Sequence, residues 1–217
     1  MKSLIKIGGL GAVLQSICLL ALLIVVAVLM PNQGFAGDAQ AFHTPQVALR
    51  YATQSFLFPE YYWIAWGFGV GLLLAALATY DLLQLGATSL RRLALTAGTL
   101  GAGFSVAEAI VGTRVIAELA ELYIQQPNEA GPAYLAINLL TGALRVGGWH
   151  AYGWWALFTS LAGLQAKVLP RALWLMGIGV GLVGIGTFIS ELVIVHVLLG
   201  LVWPTWLGLT LLQHKES

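Results

Sequence analysis

The chain has 217 residues, of which 59% are hydrophobic and only 9% charged, and its formal net charge is +1. Soluble domains need roughly 25% charged residues to cover a water-facing surface, so this composition, with a mean hydropathy of +0.86, requires lipid as the main solvent. The near-neutral balance, with no basic cluster beyond the pair Arg91 and Arg92, excludes a nucleic-acid partner, and the single cysteine, Cys18, excludes an intramolecular disulfide and a cysteine-based metal site.

A helix needs about 20 apolar residues to cross the hydrocarbon core. The first such run is 7–30, which is longer than the apolar region of a secretory signal and is expected to be a retained span. The first outer segment, 31–60, opens on turn formers (Pro31, Asn32, Gly34, Gly37, Asp38) and then offers Thr44 as a helix cap with Pro45 as first helical residue. Spans two and three are expected over 61–80 and 93–113. Beyond 113 the chain continues outward as an amphipathic helix, with Val115, Leu119, Leu122 and Tyr123 on one face and Glu118, Glu121 and Gln125 opposite. Pro127 to Pro132 reads as a turn.

The stretch 132–169 is too long for one span and too short for two with a connection. Its first half, 133–146, contains Asn138 and Arg145 and ends at Gly147-Gly148; fourteen helical residues reach only about 21 Å, which suits an interfacial helix. Span four is then 149–166, span five 173–189 and span six 192–212, with 31–60 and 114–148 as the outer segments. Pro204 is expected to kink or break span six.

Charge sets the orientation. With the N-terminus inside, seven of the ten basic residues (Lys2, Lys6, Arg91, Arg92, Lys167, Arg171, Lys215) face the cytoplasm and three (Arg50, Arg114, Arg145) face out, the sign that the positive-inside rule requires. Tyr61, Tyr62, Trp63 and Trp66, and again Trp149, Tyr152, Trp154 and Trp155, open spans two and four at headgroup depth, where amphipathic rings settle. The fold expected is therefore an all-α transmembrane bundle forming one domain, with six spans, both termini cytoplasmic and short extracytoplasmic helices.

Ionisable residues within a bilayer are costly and mark function or structural pairing. Glu108, Arg114, His150, Glu191 and His196 share one depth zone in the outer half and are the candidate ligand-binding residues. Structural pairing of Glu108 with Arg114 or with an outer-loop group is the alternative. A divalent metal held by His150, His196 and Glu108 or Glu191 lacks any local HxxxH or HExxH spacing, and a bis-histidine haem would need His150 and His196 deeper in the membrane. A hydrolase built from Ser105 or Ser190 with His196 and Glu108 lacks the GxSxG elbow. No catalytic residue, metal or cofactor is assigned. The glycines of span five (Gly177, Gly181, Gly184) and of spans one and two (Gly8, Gly9, Gly11; Gly67, Gly69, Gly71) suit close helix packing, within the chain or against another membrane subunit.

The stretch from Ala166 to Gly177, AKVLPRALWLMG, resembles an LPRWLGWLG signature that opens a span in small bacterial membrane proteins. The end, LVWPTWLGLTLL (Leu201 to Leu212), is similar to their closing LWxIWLGxWLL pattern, with Pro204 in place of the usual residue, and Ile7 to Ala12 fits their start. In layout the chain resembles the domain-of-unknown-function 4386 family. That resemblance implies the six-span architecture and a bacterial inner (plasma) membrane; the family has no assigned activity, so it implies no reaction. The function expected is that of an accessory or scaffold subunit packing with other membrane proteins or with itself. The alternatives are small-molecule or lipid binding or transport through the outer polar zone, and a membrane-embedded metalloenzyme or hydrolase.

Overall fold

A computed structural model describes residues 2–35, 39–55, 61–84 and 87–214, with backbone alone for Lys2, Ala39, Gln40, Ser190 and Glu191. The chain is about 90% helical, with no strand among the described residues. Helix α1 spans Lys2–Ile24 and continues without a break through a π-helical turn, Val25–Leu29, into Met30–Asn32. Two short helices follow, α2 (Ala39–His43) and α3 (Pro45–Gln54). Four long helices and one shorter one complete the chain: α4 (Tyr62–Leu82), α5 (Thr88–Gln125), α6 (Pro127–Ala166), α7 (Arg171–Ile185) and α8 (Ser190–Gln213). Four of these stretches are long and apolar enough to cross a membrane, Ser3–Asn32, Tyr62–Leu82, Thr88–Gln125 and Leu192–Gln213, which marks a membrane protein.

The long helices close a ring. Each packs on its neighbour in sequence, α4 on α5, α5 on α6, α6 on α7 and α7 on α8, while α1 fills the gap between α8 and α4. Short connections force antiparallel neighbours, and the helices approach closely because glycine stands at their crossings. A Cβ on Gly11 would meet the Gly71 carbonyl oxygen at 2.7 Å, and one on Gly9 would meet that of Gly208 at 2.9 Å. The interior between them is aromatic and aliphatic, with Trp155, Trp174, Trp203 and Tyr152 fully buried. Large apolar side chains line the outside instead, among them Leu10, Ile110 and Ile194, each at least 60% exposed. Water would not tolerate so broad an apolar exterior; hydrocarbon does.

Helices α5 and α6, with 38 and 40 residues, measure about 57 and 60 Å at 1.5 Å per residue. Their excess length projects past the ring at one end. Helix α3 packs on both projections and α2 on α6, and a second apolar core forms there from Met30, Phe35, Leu49, Tyr51, Tyr62, Ile116 and Tyr134 among others. The Tyr134 hydroxyl ties this cap together by donating to the Phe42 carbonyl at 2.8 Å; burial pushes its pKa up, so it keeps its proton. Tyr51 and Ser55 both donate to Gln33 Oε1, at 2.8 and 2.7 Å.

Several expectations change here. Helix α3 begins at Pro45 after Thr44 as anticipated, although the Thr44 side chain makes no capping bond. The amphipathic extension of span three is continuous with it in α5. The expected turn over 127–132 is absent: the chain reverses at Gln126, and Pro127 already occupies the first helical turn, where its missing N–H costs nothing. Nor is 133–146 a separate interfacial helix. Helix α6 runs straight through Gly147-Gly148, because those glycines face α5, with Gly148 against the Ser105 hydroxyl and Gly147 against the Phe104 ring. Pro204 likewise lies inside the unbroken helix α8. The turn formers Gly37 and Asp38, and Lys215 of the charge count, lie outside the described residues.

Candidate functional site

Where the cap meets the ring, four helices bring polar and apolar groups to one point. On α5, Ser105 and Glu108 are three residues apart and so share a face; Glu108 has only 5% of its side chain exposed. Across from it, α6 presents Arg145 and, one turn further, Trp149. Arg145 Nε donates to Glu108 Oε1 at 2.7 Å, and its Nη2 donates to the Tyr61 hydroxyl at 2.8 Å, from the start of α4. The guanidinium carbon also lies 5.9 Å from the centre of the Tyr61 ring. Helix α1 closes the remaining side with Cys18, Leu19 and Leu22.

These groups enclose a cavity of about 40 Å³, bounded by Cys18, Leu22, Phe68, Ser105, Glu108, Arg145 and Trp149 among others. A carboxylate in such a place is tolerable only because the guanidinium matches its charge and two of its donors are hydrogen-bonded. The aromatic ladder Phe35, Phe42, Tyr61 and Tyr62 roofs the site, with neighbouring ring centres 4.2 to 6.2 Å apart.

A second hollow adjoins the first. Leu22, Tyr61, Arg145 and Trp149 also line a groove of about 480 Å³ between α1 and α8, whose other walls are apolar. The α1 wall is Leu22, Leu23 and Val26, reaching into the π-helical turn; such turns recur at functional sites because they widen a helix locally. The α8 wall includes Ile194 and Leu198, which are 69% and 56% exposed, so the groove opens sideways onto the outer face of the bundle. Lower down the same two helices are in tight contact, at Gly200 with Leu19 and at Gly208 with Gly9.

Of the candidate ligand-binding residues whose side chains are described, Glu108 alone lines the cavity, with Ser105 beside it. Arg114 is not its partner: Arg114 Nε pairs with Glu118 at 2.8 Å on the exposed outer stretch of α5. His150 points to another side of α6, lining an apolar groove with Leu100, Phe104 and Trp154. His196 is buried against the rings of Tyr152 and Trp149 and sits in a notch at Gly184. It is thus behind the cavity wall formed by Trp149. The side chains of Glu191 and Ser190 lie outside the described residues. No three His, Cys, Asp or Glu side chains converge on a possible metal site among the described residues. The Ser105 hydroxyl donates to the Gly101 carbonyl at 3.0 Å, and His196 is not beside it in the cavity lining, so the triad considered from sequence is not assembled.

Compared with protein-family models, curated proteins and solved structures, the chain matches none.

Sequence reading missed Arg145, Tyr61 and Cys18 as members of the site. A signal was present for the first. Arg145 stands at the depth of Glu108 in a region almost empty of charge, and an intramembrane carboxylate needs a nearby cation; assigning 133–146 to the interface put that cation out of reach. Chemically, the assembled site offers a fixed guanidinium with donors left over, a buried carboxylate acceptor, and an apolar trough beside them. It can hold a ligand; it contains no activated nucleophile.

Proposed function

We propose that this chain is a six-span protein of the plasma membrane, with both termini cytoplasmic, that binds a small molecule or lipid in the pocket at Arg145 and Glu108. The observation that carries the binding reading is the Arg145–Glu108 pair, its carboxylate buried, lining both a small cavity and an adjoining apolar groove. Structural pairing alone would call for a closed, filled contact. Ligand pockets characteristically pair apolar walls with a few convergent polar groups, and occupy roughly 300–1,000 Å³; the groove falls in that range.

Six spans are supported by the closed ring, in which α6 and α7 stand beside the four apolar helices at the same depth. Helix α6 scores as less apolar because Trp149, His150, Tyr152, Trp154 and Trp155 follow one another, yet Tyr152 and Trp155 point inward and are fully buried. The basic excess at the end away from the cap supports the cytoplasmic placement of both termini, and the resemblance noted in the sequence supports a bacterial inner membrane. An accessory-subunit role rested on glycine-lined helices. Most of those glycines are occupied within the bundle, as at Gly9, Gly11, Gly71, Gly153, Gly181 and Gly184, so ligand binding is the better-supported reading.

Purification in a mild detergent, followed by organic extraction and mass spectrometry, tests it. A single compound near one mole per mole of protein should accompany the unmodified chain and be absent from an Arg145→Gln variant of unchanged helical content. Identical extracts from the two proteins would remove the binding reading.

A further inference from the structure

We propose that the ligand is an uncharged, single-chain amphiphile with an oxygen-bearing head, entering from the bilayer between α1 and α8; this rests on the binding reading above and names its substrate class. Three observations converge. The first is charge. Arg145 and Glu108 carry the only formal charges lining either compartment among the described residues, and they cancel. An anionic head would meet Glu108, and a cationic head Arg145, in surroundings too apolar to screen either. A neutral head meets no such penalty, and finds hydrogen-bonding groups ready. Arg145 has five N–H donors, of which Glu108 and Tyr61 take one each, while Glu108 can accept.

The second is size. At about 10–15 Å³ of such volume per water, the inner cavity of about 40 Å³ has room for about three water-sized groups. That suits a carbonyl or the terminal hydroxyl-bearing end of a monoacylglycerol, and not a glycerophosphate with its headgroup. The apolar groove of about 480 Å³ shares Leu22, Tyr61, Arg145 and Trp149 with it as lining, and takes one alkyl chain. The third is access. The groove faces lipid through Ile194 and Leu198, while Gly9 against Gly208 closes the α1–α8 seam below. A chain can lie along the widened turn Val25–Leu29 with its head against Arg145, whereas a ligand arriving from water would have to pass the aromatic roof.

Native mass spectrometry of the full chain released from detergent micelles tests this with three probes of equal chain length: 1-monooleoylglycerol, oleic acid and oleylamine. The unmodified chain should bind one monooleoylglycerol at least tenfold more tightly than either charged probe. Glu108→Gln leaves Arg145 unbalanced and should shift the preference to oleate. Val26→Trp fills the groove without touching a charge, and should abolish binding of all three even if Glu108→Gln fails to fold. Tighter binding of oleate or oleylamine by the unmodified chain, or undiminished binding by Val26→Trp, would overturn the proposal. Glycerol bound in an Arg145-dependent manner, with no saturable binding of any oleyl probe, would overturn the lipid class and lateral entry while leaving the pocket itself standing.

Discussion

Removing one member of the Arg145–Glu108 pair leaves the other as an unmatched charge among apolar side chains, and such orphaned charges cost about 3–5 kcal/mol where pairs are buried. Arg145 keeps about a third of its side chain exposed, so the lower end of that range is the better guide for losing Glu108. Glu108→Gln should therefore lower the unfolding free energy in detergent by about 3 kcal/mol, Arg145→Gln, which orphans the more deeply buried partner, by up to about 5 kcal/mol, and the double substitution by clearly less than the sum. Arg114→Ala is the contrast. Its bond to Glu118 is made in the open, with side chains 80% and 58% exposed, and exposed pairs contribute about 0–1 kcal/mol. Denaturant titration of the four proteins checks both statements; additivity of the two buried substitutions, or a large loss from Arg114→Ala, would show that the pairing is misassigned. The existence of a buried carboxylate was legible in the sequence from its position in an apolar span. Its partner was signalled only in part: a carboxylate at that depth calls for a cation, but Arg145 comes from a neighbouring helix 37 residues on, and only tertiary packing singles it out over Arg114.

At the scale of the elements, glycine is where sequence and packing met most usefully. The spacing of small residues identified close crossings, and the bundle shows which glycines serve them. A Cβ on Gly71 would stand 2.5 Å from the Gly11 carbonyl oxygen, a backbone atom with no room to yield, whereas one on Gly103 meets nothing within 4 Å. Gly71→Ala should destabilise the bundle by separating α1 from α4, and Gly103→Ala should stabilise it by up to about 1 kcal/mol through helix propensity. Thermal unfolding in detergent reads both, and equal effects of the same sign would contradict the packing. The same physics explains the misjudged boundary in α6. Gly147-Gly148 was read as a break on propensity, which is measured in water. In a helix that packs against Phe104 and Ser105 of α5 the two missing side chains make the contact possible, and the helix continues. Pro132 and Pro204 follow suit: each forfeits one backbone bond, and each sits in a helix held by its neighbours.

For the molecule as a whole, hydropathy and length together displayed four helices able to cross a membrane, while α7 is apolar but short and α6 stood out less clearly. The cap was visible only as two outer segments. Its aromatic core joins residues from α1, α4, α5 and α6 across more than 100 positions, a pattern that no local signal encodes. The proposed arrangement of six spans with both termini cytoplasmic would place Gln126, at the capped end, outside and Lys167 inside. In a Cys18→Ser background, Gln126→Cys should react with an impermeant maleimide in intact cells, and Lys167→Cys only after permeabilisation; the reverse pattern would invert the topology.

Cys18 is a natural reporter on the proposed pocket, since the thiol lines the cavity and is 8% exposed. The most direct measurement is the rate at which a lipid-soluble maleimide modifies Cys18, in native membranes and then after delipidation, with and without the organic extract added back. An occupied pocket predicts slow modification in membranes, several-fold faster modification after delipidation, recovery of protection with the extract, and uniformly fast modification in Arg145→Gln. A single rate in all of these conditions would mean that nothing occupies the space between Cys18 and Arg145.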